Sequence, residues 1–504
     1  MGTFLTSKLP TATLNAKTVC AFAAVVAAGV FLAAYPLATL GAIAIGAAVY
    51  ALFTWCRAQM EWWQLFLLGA LTPSILLNYG FDNFAVGAGG VKFPLADLLV
   101  FAALLLVLRE FGQRFIQQIV ADPPALCLAG LLVMSFFHLL FNIPAYGFYS
   151  VRDSSMVFES VILILGVAWA QNPKSVQFLN RWFFYIMLIN LVYSYTFNWA
   201  EKIQYASPKF GVFHPVPLIG NYQQTALWSV AAAIYFIWIG PQVVRWPRWT
   251  LILLAAAQLG ALGVLQVRAM YMAIGVIFVI LVLFGETKKS VIFATTIGWG
   301  AGALVALLLI VSALGIQIQG RMGPVTFGFI GEQIQTVLNV GNATTRMSHE
   351  EDRADWYGQV WKRITSSPAN MVVGEGFGQA LINFVNEEGI PVRQPHNSSL
   401  TVLARLGFVG LALWVSFLGM VALRYVRYLR ARSAPEEIRA TVLWLFICFI
   451  LYVMTFSVQP TLEFSHGAMP FFFLIGLGFG IMGQKQFSFA PQPIRMRAAQ
   501  SAHA

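Results

Sequence analysis

The chain has 504 residues, of which 59% are hydrophobic and only 10% charged, and its formal net charge is +11. Soluble globular proteins carry about 25% charged residues, so this composition excludes a soluble fold and makes lipid the solvent. The basic residues punctuate the ends of apolar blocks instead of gathering on one polar segment, which excludes nucleic acid as the reason for the positive charge.

A helix needs about 20 residues to cross the hydrocarbon core. On that ruler, spans are expected near 18–37, 39–56, 62–79, 95–111, 124–143, 156–171, 180–198, 221–240, 249–266, 269–286, 290–314, 400–425, 438–458 and 466–484. The stretches 18–56 and 249–286 are hard to divide, so the expectation is an all-α, polytopic membrane protein of 12–14 transmembrane helices. The first run, Val19 to Leu37, leads into the second without a polar break and reads as a span, not a cleavable signal. Residues 1–314 then form eleven helices, 315–399 one long loop, 400–484 three more helices, and 485–504 a polar, basic tail. The cysteines Cys20, Cys56, Cys127 and Cys448 lack CxxC spacing and suggest neither a disulfide framework nor a metal cluster.

Charge sets the expected orientation. With the N-terminus placed in the cytoplasm, inner segments hold nineteen of the 31 Lys and Arg residues and short outer loops hold five: Lys92, Arg152, Lys202, Lys209 and Arg268. This asymmetry follows the positive-inside rule, from which long loops are exempt. Both termini are therefore expected in the cytoplasm, with the 315–399 loop outside. Within that loop, Trp356, Val360 and Ile364 recur at helical spacing and give Glu350 to Ile364 one apolar face. Ser348 and Glu351 have capping-box spacing, Val325 to Val340 is weakly amphipathic, and Gly374-Glu375-Gly376-Phe377-Gly378 reads as a tight turn.

Candidate functional residues gather at the outer surface. Asn397 or Ser398 can cap a helix start, which places His396 at the mouth of a span and at the positive end of its dipole. That position favours the neutral imidazole a general base needs. Gly407 and Gly410, about one turn apart, would let another helix approach. Arg268 sits in a very short turn between two spans. A charge at that depth either snorkels or lines a wet site, where a guanidinium suits phosphate. Arg346 and Arg353 flank the amphipathic stretch of the long loop. Arg152 and Glu159 are spaced to share one helical face, as an ion pair or as a ligand site. Glu463 and His466 are titratable groups of the last outer loop. The acidic run Glu350-Glu351-Asp352 fits dipole compensation at a helix start. No P-loop, HExxH or Gly-x-Ser-x-Gly is present. A transporter or flippase for a lipid-linked solute would instead show paired repeats with helices broken near mid-membrane.

The assembled order is Arg268 opening a span, Arg353-x-x-Trp356 and Gly374-x-Gly376 in the outer loop, then His396-Asn397 and Gly407-x-x-Gly410-Leu411. In this the chain resembles the bacterial O-antigen ligase and O-antigen (exopolysaccharide) polymerase superfamily, most convincingly over residues 211–411. The resemblance implies a GT-C-like glycosyltransferase of the bacterial inner membrane. It would move a glycan from undecaprenyl pyrophosphate to an acceptor sugar hydroxyl on the periplasmic face, without metal or cofactor. It further implies that Arg268 and Arg353 bind the pyrophosphate, with Arg346 a rival for the loop position, and that His396 activates the acceptor. Asn397, Arg152 and Glu463 would support the site. The acceptor is another lipid-linked glycan in a polymerase and lipid A core in a ligase. Arg405 departs from the acidic or neutral residue expected after the His-Asn pair. With the additional N-terminal apolar runs, it tilts the expectation toward a polymerase.

Overall fold

The computed structural model describes residues 54, 57–82, 84–88, 91–196, 222–285, 287–315, 319–321, 323–326, 328, 331–332, 335, 348–385, 391–431 and 434–483. The expected spans 18–37 and 39–56 (residue 54 apart), Arg346, most of Val325 to Val340, and the tail lie outside these residues. The chain divides into two compact units, Met1–Leu65 and Phe66–Ala504. Of the first, Arg57 donates to the Met60 carbonyl and lies over the Trp62 ring.

The second unit is helical almost throughout, with 82% helix against 3% strand over the described chain, which makes the protein an all-α membrane protein. The principal helices are α1 (Trp62–Leu76), α2 (Leu95–Val120), α3 (Pro123–Tyr146), α4 (Phe148–Asp153), α5 (Ile162–Ala170), α6 (Pro173–Thr196), α7 (Tyr222–Trp238), α8 (Arg248–Leu265), α9 (Arg268–Phe284), α10 (Thr287–Ala313), α11 (Ser348–Ile364), α12 (Pro368–Val373), α13 (Ser398–Ala431), α14 (Glu436–Phe456) and α15 (Ser465–Met482). Among the described residues, α3, α8, α10, α13, α14 and α15 are long and apolar enough to cross a membrane. The helices α1, α7 and α9 are apolar but shorter. Three two-stranded hairpins, Ala85–Ala88 with Val91–Pro94, Gln319–Gly320 with Gly323–Pro324, and Phe384–Val385 with Pro391–Val392, sit at helix connections.

Two expected spans are irregular. Residues 156–171 are not one helix: a short turn, Ser155–Phe158, passes through a 3-10 segment, Glu159–Val161, into α5. The stretch Ser155–Ala170 then meets α6 at 115°, so 156–171 and 180–198 form either a broken span or a re-entrant pair. The helix expected to end at residue 111 is interrupted at Gly112, whose φ of 77° is left-handed, and resumes to Val120.

The core is α15, buried along nearly its whole length against α5. Glycine makes this crossing possible. A Cβ at Gly166 would strike the Phe473 carbonyl, and one at Gly476 would strike the Leu163 carbonyl. The two backbones thus pack directly on each other, as small-residue crossings in membranes do. Elsewhere a neutral polar cluster ties α6, α7 and α8: Asn190 donates toward the Thr225 carbonyl, Ser229 Oγ and Gln258 Oε1, and Gln258 donates to the Met187 carbonyl at 2.7 Å.

The helices define two ends. At one end Arg424 pairs with Asp122, Lys289 with Glu436, and Arg439 donates to the Phe284 carbonyl. A 17-residue helix is about 25 Å long, so Arg268 lies at the opposite end of α9 from Phe284. Ser398, Phe456 and Ser465 share that opposite end, as does the exit of α10 into the long loop.

The long loop is compact where it is described. Helix α11 begins at Ser348, and its Trp356, Val360 and Ile364 are buried with Leu381, Ile382, Leu403 and Ala404. Gly407 and Gly410 act differently from the helix-helix contact expected of them. Gly407, at φ 64°, breaks α13, and α12 of the long loop, not a spanning helix, fills the space a Cβ would need, with the Val372 carbonyl closest. The nearest atoms to a Cβ at Gly410 belong to Leu406 of its own helix. Gly407→Ala is expected to lower stability by about 1–3 kcal/mol, the cost of holding a non-glycine residue at such an angle. Gly419→Ala, where a Cβ meets open space, is expected to be neutral or to stabilise by up to about 1 kcal/mol. Thermal unfolding of the two detergent-purified variants checks this contrast.

Candidate functional site

Breaking α13 at Gly407 releases carbonyls that a continuous helix would satisfy. The Ala404 and Arg405 carbonyls would otherwise accept from residues four positions on. They accept instead from Glu375 N–H and Gly376 N–H, both at 3.0 Å. The glycine run is therefore an extended strap lying on the broken helix. Gly374, Gly376 and Gly378 have φ of 83°, 79° and 103°, and Cβ atoms there would strike Arg405, the side chains of His138 and Asn142, and Tyr146 with Ser150, respectively. His138 bonds the Val373 carbonyl at 2.8 Å, and Ser150 donates to the Phe377 carbonyl at 3.3 Å.

Arg405 closes this arrangement. Its side chain is 1% exposed and donates to the Gly376 carbonyl (3.0 Å), the Gln379 carbonyl (2.7 Å) and Asp153 Oδ2 (3.0 Å), with Glu375 at 3.9 Å. Asp153, fully buried, also accepts from Arg393 and Arg152, each at 3.2 Å. Arg405 is thus an internal brace. The Arg152–Glu159 ion pair does not form either. Arg152 lies against Asp153 and Tyr149, while Glu159, carried on the 3-10 segment and so off the shared helical face, meets Ser465 Oγ at 2.8 Å.

Beside the brace lies the His-Asn segment. His396 has a φ of 52°, left-handed, one of three non-glycine residues so placed among those described. Its ring stands edge-on to Trp356, centroids 5.0 Å apart. Asn397 caps α13, accepting from Leu400 N–H at 3.0 Å. Ser398 Oγ lies 2.6 Å from Glu463 Oε2. Arg353, one turn before Trp356 on α11, makes a long hydrogen bond to the Val458 carbonyl at 3.4 Å, on the connection that carries Glu463. These contacts bring His396, Asn397, Arg353 and Glu463 together. Arg268 is set by a different element pair. It opens α9 just after Gln266, which is left-handed (φ 53°) and donates to the Gly323 carbonyl of the hairpin leaving α10. Its end of the bundle is that of His396.

The site contains groups the sequence did not flag. Asp153 and Arg393 are joined to it, Asp82 borders it as the partner of His466, and Ser465 Oγ stands between Asp97 and Glu159 at 2.9 and 2.8 Å. The one available signal was that polar residues near the ends of different spans must find partners in lipid. No protein-family model matches the chain, and no curated protein does.

Removing one partner of a buried ion pair leaves an uncompensated charge, a loss of about 3–5 kcal/mol. Asp153→Asn, which strips the buried Arg405 of its closest carboxylate, is therefore expected to lower the unfolding midpoint markedly, and Arg405→Met with Asp153→Asn to recover part of it. A double-mutant thermal-unfolding cycle measures the difference.

Glu463 is buried, and burial raises its carboxyl above the usual range, against hydrogen bonds from Ser398 and Thr401 and the charge of Arg405. A carboxyl raised on folding contributes stability that is complete below its unfolded pKa, about 4.3, and that is lost as pH rises through its folded value. The wild-type protein should therefore lose stability as pH rises above about 4.3, and Glu463→Gln should lose less over the same interval. Unfolding midpoints across a pH series of both proteins check the sign.

Proposed function

We propose that the protein is a membrane glycosyltransferase with GT-C-like organisation, of the kind found in the bacterial O-antigen ligase and polymerase superfamily. It would transfer a glycan from undecaprenyl pyrophosphate to an acceptor sugar hydroxyl at the periplasmic face of the inner membrane. The observation that carries this reading is the meeting of the His396 loop with α11 through Trp356, which brings His396 to the helix bearing Arg353 at the end of the bundle where Arg268 also lies. The left-handed backbone at His396 adds support, since strain of this kind concentrates at working sites.

The chemistry that these groups suit is simple to balance. The acceptor hydroxyl loses its proton to His396 as its oxygen forms a bond to the anomeric carbon. The bond from that carbon to the pyrophosphate oxygen breaks, and undecaprenyl pyrophosphate leaves with the electron pair. A general base within hydrogen-bond reach is worth about 10²–10⁴-fold in rate. Guanidinium groups at headgroup depth would stabilise the charge growing on the leaving group. Asn397 fixes the start of α13 and hence the position of His396.

His396→Ala and Arg268→Ala are each expected to reduce transfer by about 100-fold or more while keeping the wild-type elution profile. The assay uses the reconstituted full chain with undecaprenyl-diphosphate glycan as the only sugar. A ladder of longer lipid-linked products identifies a polymerase, the reading we favour. Product that forms only after lipid A core is added identifies a ligase. Normal transfer by both variants, or flipping of the lipid without any transfer, overturns the proposal.

A further inference from the structure

The cationic groups around Asp153 are not balanced. Arg152, Arg363, Arg393 and Arg405 face two carboxylates, Asp153 and Glu375, which leaves this network two positive charges in excess. Glu375 is engaged by Arg363 at 3.3 Å. Asp153 is divided among three guanidinium groups, one fully buried (Arg405) and two at the surface, with side-chain exposures of 49% for Arg152 and 21% for Arg393.

The surface pair has unused donors. The guanidinium hydrogen bonds of Arg152 and Arg393 run through Nη2: Arg152 to Asp153 Oδ1, and Arg393 to Asp153 Oδ2 and the Gly378 carbonyl. Among the described residues, Nε and Nη1 of both have no protein partner, and Nε of Arg393 is moreover shut away from solvent. Both guanidinium carbons approach one ring, that of Tyr149, at 5.4 and 4.6 Å. Two like charges are thus held side by side on a half-exposed aromatic platform by a single carboxylate that cannot neutralise both. A guanidinium offers paired donors that match a phosphate or carboxylate.

From this geometry we propose that Arg152 and Arg393, on the Tyr149 platform, form an oxyanion-binding site for a phosphate- or carboxylate-class group, supplied by a soluble ligand or by a lipid headgroup. The site is built from α4 and from the segment that leads to His396, not from the α8–α9 turn of Arg268, and it stands whether or not the chain transfers glycans.

The test uses the full chain carrying Arg268→Gln, so that a phosphate bound at that turn does not contribute, in phosphatidylcholine nanodiscs. Inorganic phosphate should raise the unfolding midpoint saturably, and chloride of equal ionic strength should not. Adding Arg152→Gln should weaken the apparent phosphate affinity at least tenfold. The ligand-free midpoint should stay near its original value, because Asp153 still holds Arg393 and Arg405, and Arg152→Lys should keep part of the affinity. A higher midpoint in phosphatidylglycerol discs that needs Arg152 and no longer responds to phosphate also supports the site, and names the headgroup as its source. The proposal fails if neither phosphate nor phosphatidylglycerol shifts the midpoint, or if the shift survives in Arg152→Gln.

Discussion

The organisation of the functional end depends on the buried contact between Arg405 and Asp153. A guanidinium cannot be withdrawn from water without partners, and Arg405 finds them on two separate parts of the chain. Asp153 ends the short helix after α3, while the Gly376 and Gln379 carbonyls belong to the long loop. The same residue offers its own carbonyl to Gly376 N–H, because Gly407 has opened the helix beyond it. One residue thereby locks the first segment of α13, the helix α4 and the glycine strap into a single arrangement. The three glycines of the strap follow from this, since each lies against an atom that a side chain would displace.

From that lock the site is laid out by short steps. The strap leads back to α12 and α11, whose apolar face closes over Leu403 and Ala404 of the same braced segment. Closure brings Trp356 against His396 and Arg353 against the Val458 connection. The opposite end of the bundle uses its charges differently. There Arg424 pairs with Asp122 and Lys289 with Glu436. At the His396 end, four guanidinium groups share the two carboxylates Asp153 and Glu375.

The sequence shows some of this directly and hides the rest for physical reasons. Apolar runs give the helices, because lipid tolerates few other solutions for a backbone, and the spans expected from residue 62 onward overlap helix, although 156–171 is broken and only six of the described helices are long and apolar enough to cross a membrane. The period of Trp356, Val360 and Ile364 identifies the buried face of α11. What periodicity misses is the interruption of helices. The 3-10 segment at Glu159 sits inside a stretch that length and hydropathy read as one span, whereas the 115° bend before α6 falls at Gln171-Asn172-Pro173, where the sequence shows a break but not its angle. Arg405 reads as an exposed oddity on a helix, since its partner lies 252 positions away. Asp153 goes unnoticed because helical spacing matches its neighbour Arg152 with Glu159, and its other two cations, Arg393 and Arg405, are distant in sequence.

The arginines at this end therefore differ in kind, and the difference lies in hydrogen-bond satisfaction, not in charge. Arg405 is enclosed and turns both Nη groups to protein acceptors, which leaves its buried Nε without one. Arg353 is half-buried and has one long bond to a carbonyl. Arg152 and Arg393 engage one nitrogen each. A buried donor without an acceptor costs about 1–3 kcal/mol, a cost that falls on Nε of Arg393, while the remaining open donors of Arg152 and Arg393 are presented near one aromatic ring where an acceptor from outside can reach them. Oxyanions are the acceptors that match this geometry, and the brace at Arg405 holds the open donors in place before one arrives.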